Sequence, residues 1–329
     1  TNYAQLVEEF IRNDLTGFER LYLKDREIKN LILMGDFLTE TIFREERQDN
    51  IITRAEFEKR YENTVYKTET SLSEEMDIDP EYAALIVPTM VICKDFMDLF
   101  NAEALWMPGV SLLDGIAYDF GEKKNFIKSA HNFENDILVA ARNIAKRYST
   151  GKDHIKGTTD LALAIFDSMK KVHGMGDRER LLLQIAVQLH DCGKYISMGD
   201  VAECSYQIIM ATEIIGLSTE ERQIIANAVR YNTTEFVYYS EIAGEVGMDR
   251  SVYLLIAKLT AILRIANAMD RSHYQKVKNM KAMLKDRTLL LTVDSEQDIS
   301  LELGLLMDKV EFFEEVFGIR LVFRRKRKV

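Results

Sequence analysis

The stretch LLLQIAVQLHDCGK, residues 181–194, joins an apolar run to an adjacent histidine and aspartate. The run LLLQIAVQ predicts a buried helix, and His190 and Asp191 follow at its end. An imidazole and a carboxylate side by side can hold a divalent cation when other helices supply further His or Asp ligands. This pair is therefore the strongest chemical signal in the sequence.

A succession of predicted helices surrounds this stretch. Apolar residues recur at helical spacing in the segments Phe126–Ser149, Ile155–Val172, Arg178–Ile196, Val201–Ile215, Thr219–Tyr231 and Ser251–Met269. Ser218 followed by Glu221 forms a capping box, and Gly216 marks the end of the helix before it. The middle of the chain is therefore predicted to be all-α.

The two ends of the chain differ from the middle because strands enter the pattern. The N-terminal block is predicted to contain helices at Tyr3–Tyr22, Thr53–Lys67, Asp79–Phe100 and Ser111–Phe120, with strands at Ile28–Met34 and Ala104–Val110. The C-terminal block reads as strands Thr288–Val293 and Ile299–Leu303, a helix Leu305–Phe317 and a strand Ile319–Phe323. We predict a mainly α, multidomain protein: an α/β part over residues 1–124, an all-α domain over 125–280 and a small ββαβ domain over 281–329.

The composition of the chain indicates which partners the protein binds and in which cellular compartment it works. The net charge of −10 argues against a broad electrostatic grip on nucleic acid or on an anionic membrane. The apolar stretch Tyr82–Cys93 is far shorter than the ~20 residues that a membrane helix needs. The 3 cysteines show no pairing pattern, which is typical of reduced thiols. We expect a cytoplasmic protein with no membrane span and no nucleic-acid partner.

A second histidine extends the metal-site hypothesis. His154 opens the predicted helix HIKGTTDLALAIFDSM, and with His190 and Asp191 it resembles the core of the HD-domain superfamily. These proteins are all-helical metal phosphohydrolases with a His…His-Asp…Asp ligand set. The segment LTAILRIANAMDRSH is similar to their last ligand helix, but Asn267 stands where the resemblance expects the final Asp. An amide oxygen is a weaker, neutral ligand, so we expect a divalent-metal site at His154, His190, Asp191 and Asn267 to be vestigial.

Two further observations bear on that expectation. Asp270 lies one helical turn beyond Asn267 and could replace it as a ligand only if the helix were rotated. The segment after the His-Asp pair, MGDVAECSYQIIM, contains none of the histidines that catalytic HD sites often add there. His131 and His173 are expected to be solvated, and His273 either lines the cleft or caps a helix.

A resemblance along nearly the whole chain is more specific. Six segments follow one another along the chain: SLLDGIAYDF, the helix at His154, VQLHDCGKYIS, AVRYN, LLIAKLTAILRIANAMDRSH and a terminal ββαβ piece. In this order the chain resembles the exopolyphosphatase / guanosine pentaphosphate phosphohydrolase (Ppx/GppA) family. The resemblance implies that the α/β part belongs to an actin-like (ribonuclease H-like) lobe. It also implies hydrolysis of the terminal phosphate of polyphosphate or of guanosine pentaphosphate, with Mg²⁺ and a glutamate that positions water.

The sequence departs from the family at the catalytic elements. The main phosphate loops and the catalytic glutamate of the family have no counterpart in Thr1–Asn30, so no catalytic residue is assigned. A later loop, Gly35-Asp36-Phe37-Leu38-Thr39, matches the family at Gly35 and Thr39. Arg offers a planar fork for phosphate oxygens and Lys a compact charge. Phosphate binding is therefore predicted for Gly35, Thr39, Lys194, Arg230, Arg264 and Arg271.

Three functional hypotheses remain open. In the first, the chain is the C-terminal part of a Ppx/GppA-like phosphohydrolase, which binds polyphosphate or guanosine polyphosphate and forms a homodimer, while hydrolysis belongs to a lobe outside the chain. In the second, it is a metal-dependent HD-type phosphohydrolase that uses His154, His190 and Asp191. In the third, it is a non-catalytic regulator that binds polyphosphate or a nucleotide.

Overall fold

A computed structural model describes residues 3–23, 28–35, 37, 50–128, 131–242, 248–277 and 279–326. The chain divides into two compact units, Thr1–Ala130 and His131–Val329. Each unit has its own cluster of buried apolar side chains. The predicted mainly α, multidomain architecture is confirmed, while the domain boundaries at residues 124 and 280 stay predictions.

The first unit combines helices with a small sheet. Its elements are α1 (Tyr3–Phe18), a π-helical turn Glu19–Leu23, β1 (Asn30–Ile32), β2 (Ile51–Thr53), α2 (Arg54–Thr64), α3 (Glu69–Met76), α4 (Pro80–Leu99), β3 (Ala104–Trp106) and α5 (Leu112–Lys123). β3 lies in the centre, parallel to β1 and antiparallel to β2. The predicted strands at β1 and β3 are confirmed, whereas β2 was not predicted, because its three residues are too few to show a strand pattern.

Helix starts in this unit follow local capping chemistry. Thr53 forms a capping box with Glu56, and Ser111 forms another with Asp114. Asp79 accepts a hydrogen bond from the backbone N–H of Glu81, and Pro80 occupies the first helical position of α4. These short-range signals are readable in the sequence, so the predicted helices of this unit agree with the structure to within a few residues.

The second unit is a helical bundle followed by a second small sheet. Its elements are α6 (Phe133–Arg147), α7 (Lys152–Ser168), α8 (Lys170–His173), α9 (Asp177–Leu189), a 3₁₀ turn Cys192–Tyr195, α10 (Val201–Ala211), α11 (Thr219–Arg230), α12 (Tyr239–Ile242), α13 (Arg250–Ala268), β4 (Asn279–Lys285), β5 (Thr288–Asp294), α14 (Ser300–Phe317) and β6 (Arg320–Arg325). In the sheet, β5 lies between antiparallel β4 and parallel β6.

α13 is the central helix of this bundle, in contact with α7, α9, α11 and α14. It is long and apolar enough to cross a membrane by length and composition, the one such helix among the described residues. However, 72% of its apolar window is buried inside the protein. α13 therefore has the environment of a core helix, in which apolar residues face neighbouring helices on most sides.

The C-terminal ββαβ order is present, but its strands are displaced from the prediction. Residues Ile299–Leu303, predicted as a strand, lie at the start of α14, and the first strand is β4. Asp298 accepts hydrogen bonds from the N–H and the hydroxyl of Ser300, which favours helix initiation at this point. β4 was missed because its inward-facing residues are only partly buried and alternate with exposed residues, two of which are lysines. Leu289 and Leu291 of β5 belong to the same buried cluster as the helices.

Candidate metal centre

Three segments of the second unit bring the site together. His154 lies in the first turn of α7, His190 and Asp191 end α9, and His273 and Gln275 lie in the turn between α13 and β4. The turn after Asp191 packs tightly on α10, where the N–H of Gly193 donates to Oγ of Ser205 at 2.9 Å. This contact fixes where α9 ends and therefore where the His-Asp pair stands.

The two buried histidines present their Nε2 atoms to each other. Nδ1 of His154 is 2.7 Å from Oδ2 of Asp270, and Nδ1 of His190 is 2.7 Å from the carbonyl of Val187. Both partners accept hydrogen bonds, so each Nδ1 carries a proton, and in the neutral form of each ring the lone pair lies on Nε2. The Nε2 atoms are 3.2 Å apart. Two lone pairs at this distance repel unless a cation lies between or beside them.

Asp191 adds a carboxylate to the histidine pair. Its Oδ1 is 3.6 Å from Nε2 of His190, and its Oδ2 is 3.9 Å from Nε2 of His154. Burial alone would raise its pKa, but the hydrogen bond and the charge of the Lys194 ammonium lower it. Nζ of Lys194 donates to Oδ2 at 2.5 Å. Asp191 is therefore an ionised ligand candidate whose charge is balanced by Lys194.

His273 is the third member of the group and stacks on the ring of His154. The two rings are stacked, with centroids 3.6 Å apart and planes 6° from parallel. Nε2 of His273 is 3.7 Å from Oδ2 of Asp191. Burial lowers the pKa of His273 to about 4, and burial likewise lowers that of His190, so both rings are neutral at neutral pH.

Asp270 binds the Nδ1 side of the His154 ring. Burial opposes its ionisation, but hydrogen bonds from His154 and Gln275 lower its pKa. Its Oδ1 accepts from the N–H of Gln275 at 2.8 Å, and its Oδ2 accepts from Nδ1 of His154 at 2.7 Å. A carboxylate in this position fixes the tautomer and orientation of a ligating histidine. Asp270 therefore positions His154, a different role from the direct ligand considered from the sequence.

The residues fit a divalent metal. His154, Asp191 and His273 offer ligand atoms that all lie within 4.8 Å of one another. Asn267 is buried, and within the part of the chain that the structure describes no donor reaches its Oδ1. Imidazole nitrogens and an ionised carboxylate are donor types that divalent cations use in proteins.

The predicted phosphate-binding residues are placed differently from one another. Lys194 lies at the site, bound to Asp191. Arg230 pairs with Glu203 at 3.0 Å, and Arg271 is exposed in the turn after α13. Arg264 is buried and donates to the carbonyls of Tyr231 and Thr234, with its guanidinium over the ring of Phe312. Gly35 follows β1 in the first unit with φ of 141°, and Thr39 lies outside the described residues.

Sequence reasoning missed part of this arrangement. The positioning role of Asp270 and the part played by Gln275 depend on a turn whose path the sequence pattern does not reveal. His131 is exposed as expected, but the expectation for His173 was wrong. His173 is buried, its Nε2–H donates to the carbonyl of Phe166, and its Nδ1 accepts from the N–H of Met175. Lys170, Lys171 and Gly174, close to it in sequence, favoured a solvated position.

Comparison with known proteins identifies the family. Residues 139–311, more than half of the chain, match the family model of the Ppx/GppA phosphatase, domain III. Among curated proteins the chain has no significant match. The matched span includes the histidines and the aspartates of the candidate metal centre. The chain belongs to the Ppx/GppA phosphatase family.

Proposed function

We propose that this chain is part of a Ppx/GppA-type phosphohydrolase that removes the terminal phosphate of polyphosphate or of guanosine pentaphosphate. The match to domain III over residues 139–311 is the observation that carries this proposal. The small α/β sheet of the first unit supports it as part of an actin-like lobe ahead of an HD-like helical domain. In this proposal the protein is a cytoplasmic homodimer, and hydrolysis requires Mg²⁺ and a lobe outside these 329 residues.

The role of this chain is to bind the phosphate chain. The protein is acidic overall, so an anionic substrate needs a local group of cations. Lys194, Arg230 and Arg271 are at least partly accessible in the second unit and are proposed to contact phosphate oxygens. Arg264 holds the carbonyls that follow Arg230 and so keeps this segment in place. The proposed phosphate contacts also include Gly35 and Thr39.

The test is binding and turnover with the chain as it stands. We expect it to bind polyphosphate in a salt-dependent manner and to release no orthophosphate. The double variant Arg230→Ala, Arg271→Ala should weaken binding at least about a hundredfold, since each of the two charged hydrogen bonds to phosphate contributes roughly 1.5–3 kcal/mol and about 1.4 kcal/mol is tenfold. Arg180→Ala is the matched control, because Arg180 is engaged by Asp167. Release of orthophosphate would contradict the placement of hydrolysis outside the chain.

A second candidate function is favoured by the facing Nε2 atoms of His154 and His190, 3.2 Å apart. It is a metal-dependent HD-type phosphohydrolase in which His154, His190 and Asp191 hold the ion. A bound divalent ion would polarise a phosphoryl oxygen and lower the pKa of a water. In the chain itself, Asp270 orients His154, and Lys194 lies where it can offset negative charge on a phosphate group.

Elemental analysis and a phosphatase assay with added Mn²⁺ separate this candidate from the first. The second candidate requires stoichiometric metal in the purified protein and phosphatase activity that His190→Ala abolishes. Protein without metal and without Mn²⁺-dependent activity would exclude it. Tight polyphosphate binding with no turnover in either assay would instead indicate a non-catalytic regulator.

A further inference from the structure

The turn that carries His273 has an unusual backbone. His273 has φ of 59° and Gln275 has φ of 47°, so two non-glycine residues adopt the left-handed conformation within three positions. Such residues cost roughly 1–3 kcal/mol each and persist only where the surroundings hold them. The contacts that this turn makes therefore have to offset the strain.

Polar contacts hold the turn on both sides. Nε2 of Gln275 donates to Oδ2 of Asp270 at 3.2 Å and to the carbonyl of His273 at 2.8 Å, while its N–H donates to Oδ1 of Asp270. On the other side, Nζ of Lys276 donates to Oε2 of Glu302 at 3.2 Å, and Glu302 is buried in the first turn of α14. The turn is therefore tied to α13 through Asp270 and to α14 through Glu302.

The effect of these contacts is to hold the imidazole of His273 beside Asp191 and flat against His154. Its Nε2 lies 3.7 Å from Oδ2 of Asp191, too far for a hydrogen bond, and the ring is about one-third exposed. The two sets of polar contacts thus hold Nε2 of His273 in the group formed by His154 and Asp191, and because the stacked rings are parallel, one ring must turn for both nitrogens to bind one ion.

We propose that His273 is a metal ligand in place of the weak helix position Asn267, and that the resulting centre selects a transition-metal ion such as Zn²⁺ over Mg²⁺. This inference rests on the second candidate function. Two imidazoles, those of His154 and His273, and the carboxylate of Asp191 form a nitrogen-rich set, and imidazole suits Zn²⁺ and related ions whereas Mg²⁺ prefers oxygen ligands and retains its water. Gln275 is a positioning residue for His273.

The first test measures metal binding by the full chain with calorimetry, using Zn²⁺ and Mg²⁺ separately. We expect one Zn²⁺ per chain and binding of Mg²⁺ at least about a hundredfold weaker. His273→Ala should weaken Zn²⁺ binding at least about tenfold, and Gln275→Ala by about tenfold, since loss of a supporting contact costs 10–100-fold. Asn267→Ala should have less effect than His273→Ala. His131→Ala, an exposed histidine paired with Asp136, is the matched control.

The second test measures the wild-type protein and uses a variant only for assignment. The chain has 5 histidines, so their ring nitrogens can be resolved by NMR of ¹⁵N-labelled protein. Without metal, stacking on His154 should shift the ring protons of His273 upfield. Addition of Zn²⁺ should shift a ring nitrogen of His273 together with Nε2 of His154 and leave His131 unchanged. The His273 signals can be assigned from the conservative variant His273→Gln.

The outcomes distinguish this inference from the function on which it rests. Failure of the wild-type chain to bind Zn²⁺ would exclude the metal centre altogether. Binding of Zn²⁺ that His273→Ala leaves unchanged, with no shift of the His273 ring, would retain the centre and overturn the inference. Equal affinity for Mg²⁺ and Zn²⁺ would overturn the proposed selectivity.

Discussion

Gly193 permits the close packing that sets the His-Asp pair in place. A Cβ at this position would lie 2.3 Å from the carbonyl oxygen of Val201 and 2.6 Å from the backbone nitrogen of Ser205. Both atoms belong to the backbone of α10, so a flexible side chain cannot move aside. Gly193→Ala should lower the free energy of unfolding by roughly 3 kcal/mol, at the upper end of the cost of overpacking.

Gly304→Ala is the control for that prediction. Gly304 lies in α14, and a Cβ there meets no atom within 4 Å. This substitution should stabilise the protein by up to about 1 kcal/mol, because alanine loses less backbone entropy in a helix. Urea unfolding of both variants measures the two changes. A Gly193→Ala protein as stable as the wild type would show that α10 does not pack on the turn in this way.

His173 makes stability depend on pH. Burial lowers its pKa, so the folded state favours the neutral ring while the unfolded chain takes up a proton below pH ~6.5. Stability is therefore retained above pH ~6.5 and falls as pH decreases from there towards the lowered pKa. The slope for one proton approaches about 1.4 kcal/mol per pH unit.

His173→Gln removes this contribution. Urea unfolding between pH 7.5 and 5 should show a shallower loss of stability for the variant than for the wild type, since the other buried histidines contribute equally to both. His131→Gln, at an exposed site, should leave the slope of the wild type unchanged. Parallel pH profiles for His173→Gln and the wild type would contradict the burial of a neutral ring at this position.

At the level of elements, the start of α11 is tied to α9. Ser218 accepts a hydrogen bond from the N–H of Glu221, and Oε2 of Glu221 accepts from the N–H of Ser218 at 2.8 Å. Glu221 also forms a two-pronged ion pair with Arg178 at the start of α9. One side chain thus caps one helix and joins it to another.

The two functions of Glu221 can be separated by substitution. Ser218→Ala should cost about 1 kcal/mol, as is usual for loss of an N-cap. Glu221→Ala should cost more, about 2 kcal/mol, because the partly exposed ion pair with Arg178 adds up to about 1 kcal/mol. Glu220→Ala, also in the first turn, is the control and should cost less than about 1 kcal/mol. Equal effects of Glu220→Ala and Glu221→Ala in thermal unfolding would contradict the link to α9.

At the level of the whole molecule, each unit has its own core. The buried cluster of the second unit, which runs from Ile137 to Leu321, draws all its members from that unit. A fragment of residues 131–329 should therefore fold alone, with a helical circular dichroism spectrum and one cooperative unfolding transition. A fragment that shows no cooperative transition would indicate that its stability depends on the first unit.

Most of the helices could be predicted because their signals are local. The capping residues Thr53, Asp79, Ser111 and Ser218 lie within three residues of the backbone groups that they bind. The strands were harder to predict. β2 is too short to show a pattern, and β4 is recognisable only once its partner β5 is known, since pairing across strands determines which residues face inward.

The sequence by itself determined the helical class, the His-Asp pair and the family, because periodic apolar residues and short motifs require no knowledge of distant contacts. The tertiary structure alone decided which polar residues form the site. The hydrogen bond between Asp270 and His154 joins residues that are 116 positions apart in the sequence. The stacking of His273 on His154 depends on a turn with left-handed backbone conformation. No local pattern encodes such contacts, because they arise only when packing of α7, α9 and α13 brings separate segments together.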